Sequence, residues 1–341
     1  MRDVAALAGV ATMTVSRVMN GSAPVTEETK ERVHDAIKKL NYQPNPVARS
    51  LRQARSSSIG IIVPNFYDPF FSVCAHAISL VAKKHQYSVI VTTSDEDADV
   101  EFAEAKLMVL NHVEGLAIIP AAVGASRLDD PGLQSTHIVA LDRPIRGDRF
   151  HSILVENQQG SKAAVRHLIE HGHKKIYYLG LSNKLYTIKA RYEGYRKAML
   201  QAGLVPDPFL TCVTQEDTYS VIQKALSGRK PATAFFVGNN LVMRHALHAL
   251  AKLRVNIPDD VAIIGFDDFE MADIFYPPLT VVRQPTHELG RVAGELLFTK
   301  LSEKTIPLSG QQIMLPVELI IRQSCGCEPV EPPKRSRARK Q

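Results

Sequence analysis

The chain has 341 residues, 45% hydrophobic and 22% charged, which excludes wholesale disorder and a fibrous architecture and is too long for one small domain. Its formal charge of +6 sits at the two ends: residues 1–56 carry nine Lys and Arg against five Asp and Glu, 328–341 carry five against two, and 57–327 carry 27 against 28. A basic end on a near-neutral body points to a phosphate-backbone binder joined to something else. No run approaches the roughly 18 apolar residues of a membrane span, and the chain opens without a signal-peptide core, so a cytoplasmic location and no membrane partner are expected.

Residues 3–10 form a short helix that stops at Gly9, and 12–20 form another directly after it, the two-helix geometry of DNA readers. On the second, Val15, Val18 and Met19 share one arc, while Thr12, Met13, Ser16 and Arg17 share the other. One face packs and the other is free to read. After the turn at Pro24, Thr26 is expected to cap a third helix whose first turn carries Glu27 and Glu28, favourable against the helix dipole. Its Val33, Ala36, Ile37 and Leu40 recur at helical spacing and close a three-helix core. Asn45 before Pro46 is a helix-start signal, and a helix over 46–53 is too short to be stable alone in water.

From residue 59 onward, short apolar runs at 59–63, 87–93, 115–120, 137–141, 153–155, 176–180, 234–237 and 261–265 read as strands covered on both faces. Amphipathic stretches at 71–86, 158–171, 189–202, 241–253 and 288–301 lie between them, giving the rhythm of a parallel α/β fold in two similar halves. The expected domains are a helix-turn-helix headpiece at 1–44, a hinge helix and linker at 45–58, a two-lobed body at 59–327 and a basic, disordered tail at 328–341. Cys74 and Cys212 read as small buried hydrophobes; Cys325 and Cys327 form a lone C-x-C with too few ligands for a zinc site, so neither a metal nor a cofactor is expected.

Val4-Ala5, Gly9-Val10, Thr14 to Val18, Asn20, Val25, Thr29, Leu40 to Tyr42, Pro44-Asn45 and Ala48 closely resemble the headpiece of the lactose-repressor/galactose-repressor family. The resemblance implies an all-α helix-turn-helix headpiece on an α/β, two-lobed, periplasmic-binding-protein-like core with parallel sheets. It also implies a homodimer on double-stranded, pseudo-palindromic operator DNA, with further pairing into tetramers left open. In the family, the positions of Thr12, Met13 and Arg17 reach base edges, and Arg17 suits a bidentate bond to guanine. The hinge segment orders in the minor groove, with the leucine at Leu51 wedged between base steps and the alanine at Ala48 beside it. Arg49, Arg52 and Arg55 meet phosphates alongside. Ala11 departs from the family's usual Ser, which removes a capping bond unless Thr12 supplies it.

The body resembles the family's effector-binding core and, within it, the ribose-binding branch. That likeness implies that Phe70, Phe71 and Phe266 sandwich a sugar, with Asp142, Arg143, Arg191, Asn239, Asp267 and Gln284 as its polar partners. The effector is read as a neutral, sugar-like molecule, with a purine or a protein co-regulator as the rival. Asn240 departs from the aspartate usual after the cleft asparagine. An enzyme is not expected: the sequence holds no Gly-x-Gly-x-x-Gly, P-loop or nucleophile elbow, and adjacent Asp267 and Asp268 would point to opposite faces of a strand.

Overall fold

The computed structural model describes residues 1–21, 24–42, 56–121, 127–147, 149–303 and 309–328, which divide into compact units at Met1–Ser57 and Ser58–Gln341. Among the described residues no helix is long and apolar enough to cross a membrane.

The first unit holds α1 (Arg2–Ala8), α2 (Thr12–Asn20) and α3 (Glu27–Lys39). Gly9 ends α1 in the left-handed region at φ 62, a conformation glycine adopts without a Cβ penalty, and Arg32 reaches from α3 to the Ala8 carbonyl at 2.6 Å. The core is small: Val4, Ala5, Ala8, Val15, Val33 and Ala36 are buried, with Val18, Met19 and Ile37 packed against them. Two expectations fail at α3. Thr26 occupies the N-cap position but makes no capping bond, because its hydroxyl pairs with the Thr29 hydroxyl at 2.8 Å. Leu40 follows the last helical turn and is 43% exposed, so the closing face ends at Ile37.

The second unit contains two six-stranded sheets. One is ordered β11-β5-β4-β3-β1-β2 and the other β12-β10-β9-β8-β6-β7, so the two lobes repeat one doubly wound plan. The first comprises β1 (Ser58–Val63), β2 (Ser88–Thr93), β3 (Gly115–Ile118), β4 (His137–Leu141), β5 (His151–Val155) and β11 (Gln312–Leu315). The second comprises β6 (Ile176–Gly180), β7 (Leu210–Thr211), β8 (Ala234–Val237), β9 (Ala262–Phe266), β10 (Thr280–Arg283) and β12 (Glu318–Ile320). All recorded pairings are parallel except β10 with β12.

Strand alternation distributes the core. Along β1, Ile59, Ile61 and Val63 enter the cluster under α4 (Pro69–Lys84) and α10 (Thr286–Ser302), while Ile62 enters the one under α5 (Ala98–Leu110). In the second lobe Ala234 and Phe236 of β8 face α6 (Asn157–Glu170) and α7 (Tyr186–Gln201). Its Phe235 and Val237 face α8 (Gln215–Ser227) and α9 (Asn240–Leu253). Each fully buried aliphatic or phenyl side chain contributes about 1.5–3 kcal/mol. The helix pairs on one face of each lobe approach closely at glycine: a Cβ on Gly290 would lie 2.5 Å from the Cys74 carbonyl, and one on Gly194 2.5 Å from the Gln158 carbonyl.

Candidate functional site

On α2, Val15 is fully buried and fixes the roll of the helix, which leaves Thr12, Met13 and Arg17 exposed and Ser16 half-buried on the open side. Met13 is 64% exposed, a cost in water that an apolar partner such as a thymine methyl would remove. Ala11 stands at the N-cap without a side-chain bond, as its departure from Ser implied, and Thr12 does not replace it. The other expected DNA-facing residues, Asn45, Ala48, Arg49 and Leu51, lie outside the described residues.

In the body, the carboxyl ends of the strands in both sheets open onto one cleft, part of it open to solvent. Phe70, Phe71, Asp142, Arg143, Arg191, Asn239, Asp267 and Gln284 all line it. Phe266 does not. It is fully buried at the end of β9 beneath the Arg191 guanidinium, 3.7 Å from its ring centroid, so it orients that arginine instead of covering a ligand.

Local structure places each group. Asp68 caps α4 by accepting from the Phe70 amide at 3.0 Å, and Pro69 occupies the first helical position, setting Phe70 and Phe71 on the first turn with their rings edge to face. Asn239 caps α9 through the Val242 amide at 3.2 Å. Asp142 follows β4 and Asp267 follows β9, equivalent places in the two lobes, and both backbones are left-handed, at φ 65 and 83. The repeat thus sets two carboxylates toward one cleft.

Polar connections hold the walls. Arg143 is buried, grips Glu96 bidentately at 2.5 and 2.7 Å and donates to the Pro120 carbonyl at 2.8 Å. Arg191 donates to Asn157 at 2.8 Å and to the Gly238 carbonyl at 2.8 Å, with Asp267 3.7 Å away. Gln284 donates to Asp267, whose other oxygen accepts from the Asn240 amide at 3.2 Å. Asn240 lies beside Asp68 and helps hold its carboxyl down, so an amide occurs where a further carboxylate would face two others.

Burial dominates the electrostatics. It pushes the Asp142 carboxyl up to about 6, with Asp267 and Glu96 adding to the rise and Arg143 and Arg191 opposing it. Asp68 is raised by burial and then by Asp267. Two buried acceptors on lining residues, Asp142 Oδ1 and Gln284 Oε1, have no hydrogen-bond partner. Tyr67, Glu96, Leu185 and Ile188 are among the other lining residues and were not expected. Asp95 and Glu96 follow β2 on positive-φ backbone, a turn that no glycine announces in the sequence.

Residues 1–45 match the family described as bacterial regulatory proteins, lacI family, and residues 165–325 match the periplasmic binding protein-like domain. The chain is 34% identical over 332 residues to the HTH-type transcriptional repressor PurR of Haemophilus influenzae, covering 95% of this chain and 98% of that protein. Its fold is similar to the lac repressor bound to ONPG in the repressed state, with a TM-score of 0.83 and 25% identity across 94% of this chain and 98% of the other. It is also similar to a periplasmic binding protein/LacI transcriptional regulator of Alkaliphilus metalliredigens complexed with D-xylulofuranose, with a TM-score of 0.69 and 26% identity across 79% and 99% of the two chains. A three-helix headpiece, two lobes around a polar cleft and this kinship over almost the whole length agree: the chain belongs to the lacI family of bacterial regulatory proteins.

Proposed function

We propose that this regulator represses transcription by binding a pseudo-palindromic operator as a homodimer, and that a neutral sugar in the cleft sets its operator affinity. The open face of α2 would read the major groove, with Arg17 on guanine and Thr12, Met13 and Ser16 beside it. Asn45, Ala48, Arg49 and Leu51 would supply the minor-groove hinge, an assignment that rests on the sequence resemblance. Exposed apolar residues Ile90 and Val91 on β2 and Leu107 and Leu110 on α5 offer a face for a second copy.

The unpartnered buried acceptors Asp142 Oδ1 and Gln284 Oε1, on residues that line the cleft with Phe70 and Phe71, carry the effector assignment. Buried acceptors need donors, and a sugar supplies hydroxyls in pairs while its C–H faces meet phenyl rings. Asp68, Glu96, Asp142 and Asp267 outnumber Arg143 and Arg191, which disfavours a phosphorylated or carboxylated ligand. D-xylulofuranose in the Alkaliphilus protein supports the same class.

Calorimetric titration of the full chain with neutral pentoses and hexoses, sugar phosphates and purine bases tests this. A neutral sugar should bind at least about tenfold more tightly than its phosphate; binding confined to purines overturns the sugar assignment. Arg191→Ala leaves Asp267 and the Gly238 carbonyl without their cation. It should weaken the sugar by roughly 100-fold, the equivalent of losing about 3 kcal/mol of paired buried charge, while operator binding persists. A normal ligand response in that variant removes Arg191 from the site.

A further inference from the structure

The C-x-C pair does not stand alone. His167 and His171 lie one helical turn apart at the end of α6, and the segment after β12 brings Cys327 against both: its Sγ is 3.4 Å from His167 Nε2 and 3.2 Å from His171 Nε2. All three ligating atoms fall within 4.8 Å of one another. Cys325 Sγ approaches His167 Nε2 from the buried side at 3.3 Å and meets the Thr280 hydroxyl at 3.1 Å. We propose that His167, His171 and Cys327 bind a thiophilic transition ion of the zinc class, with Cys325 packed behind His167.

Three features support the geometry. First, bond lengths of about 2.3 Å to sulfur and 2.05 Å to nitrogen place tetrahedral ligand atoms about 3.6 Å apart, so the observed 3.2–3.4 Å separations need only a small expansion to admit the ion. Second, His171 Nδ1 lies 2.8 Å from the His167 carbonyl; donation there fixes the tautomer and leaves Nε2 with its lone pair toward the cluster, as bound imidazoles require. Third, His167 and Cys325 are buried whereas His171 is exposed and Cys327 half-buried, so the ligands stand on a firm floor with an open side for the ion to enter. The donor set of two imidazoles and a thiol selects zinc, cobalt or copper over magnesium or calcium.

A bound ion would pin the segment 325–327 to the end of α6, the helix whose first residue, Asn157, holds Arg191 in the cleft. Untagged, fully reduced full-length protein should bind one Co²⁺ per chain, with sulfur-to-cobalt charge-transfer absorption and the strong visible bands of a tetrahedral site. Zn²⁺ should displace the cobalt and raise Tm by at least about 3 °C. Cys327→Ser should abolish the charge-transfer band, and His171→Ala, at an exposed position that the fold tolerates, should weaken Co²⁺ binding at least tenfold. Reduced wild-type protein without the band, or the same band and affinity in both variants, overturns the proposal. Circular dichroism of each variant separates lost ligation from lost fold.

Discussion

Asp142 shows how one side chain can make the body respond to pH. It is 3% exposed, and its proton is held up to about 6 against an ordinary 3.8. The folded state therefore binds this proton more tightly than the unfolded chain does. Stability from the group is fully present below 3.8 and is lost as pH rises through about 6, by at most about 3 kcal/mol. Asp142→Asn removes the titration. Thermal melts of both proteins should show their stability difference changing by about 2–3 kcal/mol between roughly pH 4 and 6, and parallel profiles would overturn the assignment. Asp142 itself was legible in the sequence, as a polar residue just after an apolar run. Its partner in the opposite wall, Asp267, was legible for the same reason. Glu96 was not, because what brings it to Arg143 is sheet order, with 47 residues of chain between them. The same blindness hid the cluster at Cys327, where the ligands are 156 and 160 residues apart.

At the scale of elements, α2 is held by few contacts, and the side they leave open is the one proposed to read DNA. Its roll rests on Val15, with Val18 and Met19 packed beside it, so substitutions on the other face should change DNA readout without unfolding the headpiece. Arg17→Ala should cost about 1–3 kcal/mol of operator discrimination per half-site, with a much smaller loss on random duplex. Fluorescence anisotropy on both duplexes at fixed salt checks this; equal losses would make Arg17 a phosphate contact. Element recognition followed the apolar runs. The strands 137–141, 176–180 and 234–237 were read at their observed bounds because each is a buried central strand with a continuous apolar run. β10, β11 and β12 escaped notice: each has four residues or fewer, and charged or polar side chains interrupt them, as suits strands near a sheet edge. α5 was missed because its apolar residues run around the whole helix, leaving Val100, Leu107 and Leu110 exposed. The left-handed turns that aim Asp142 and Asp267 carry no glycine, so nothing local announced them.

At the scale of the molecule, the chain crosses between the lobes after β5, after β10 and between β11 and β12. The cleft lies between two walls joined by these short connections, so a ligand held, as proposed, by Asp142 from one lobe and by Arg191 and Asp267 from the other would bind one lobe arrangement better than the alternatives. Only that difference in affinity can alter DNA binding; tight binding that is equal in both arrangements shifts nothing. The coupling must also be reciprocal. A coupling free energy of about 1–3 kcal/mol corresponds to a 5- to 150-fold change in operator affinity on saturation with sugar, and the sugar's own affinity must change by the same factor when operator is bound. For a dimer with two clefts, the product over both sites is compared with the total change in operator affinity. If the sugar induces, operator should weaken sugar binding; if it corepresses, operator should strengthen it by the same factor. Calorimetry of the sugar into free protein and into the operator complex, beside anisotropy of operator with and without sugar, closes the cycle. If sugar weakens operator binding while operator leaves sugar affinity untouched, the sugar acts elsewhere than on the conformational equilibrium of this cleft.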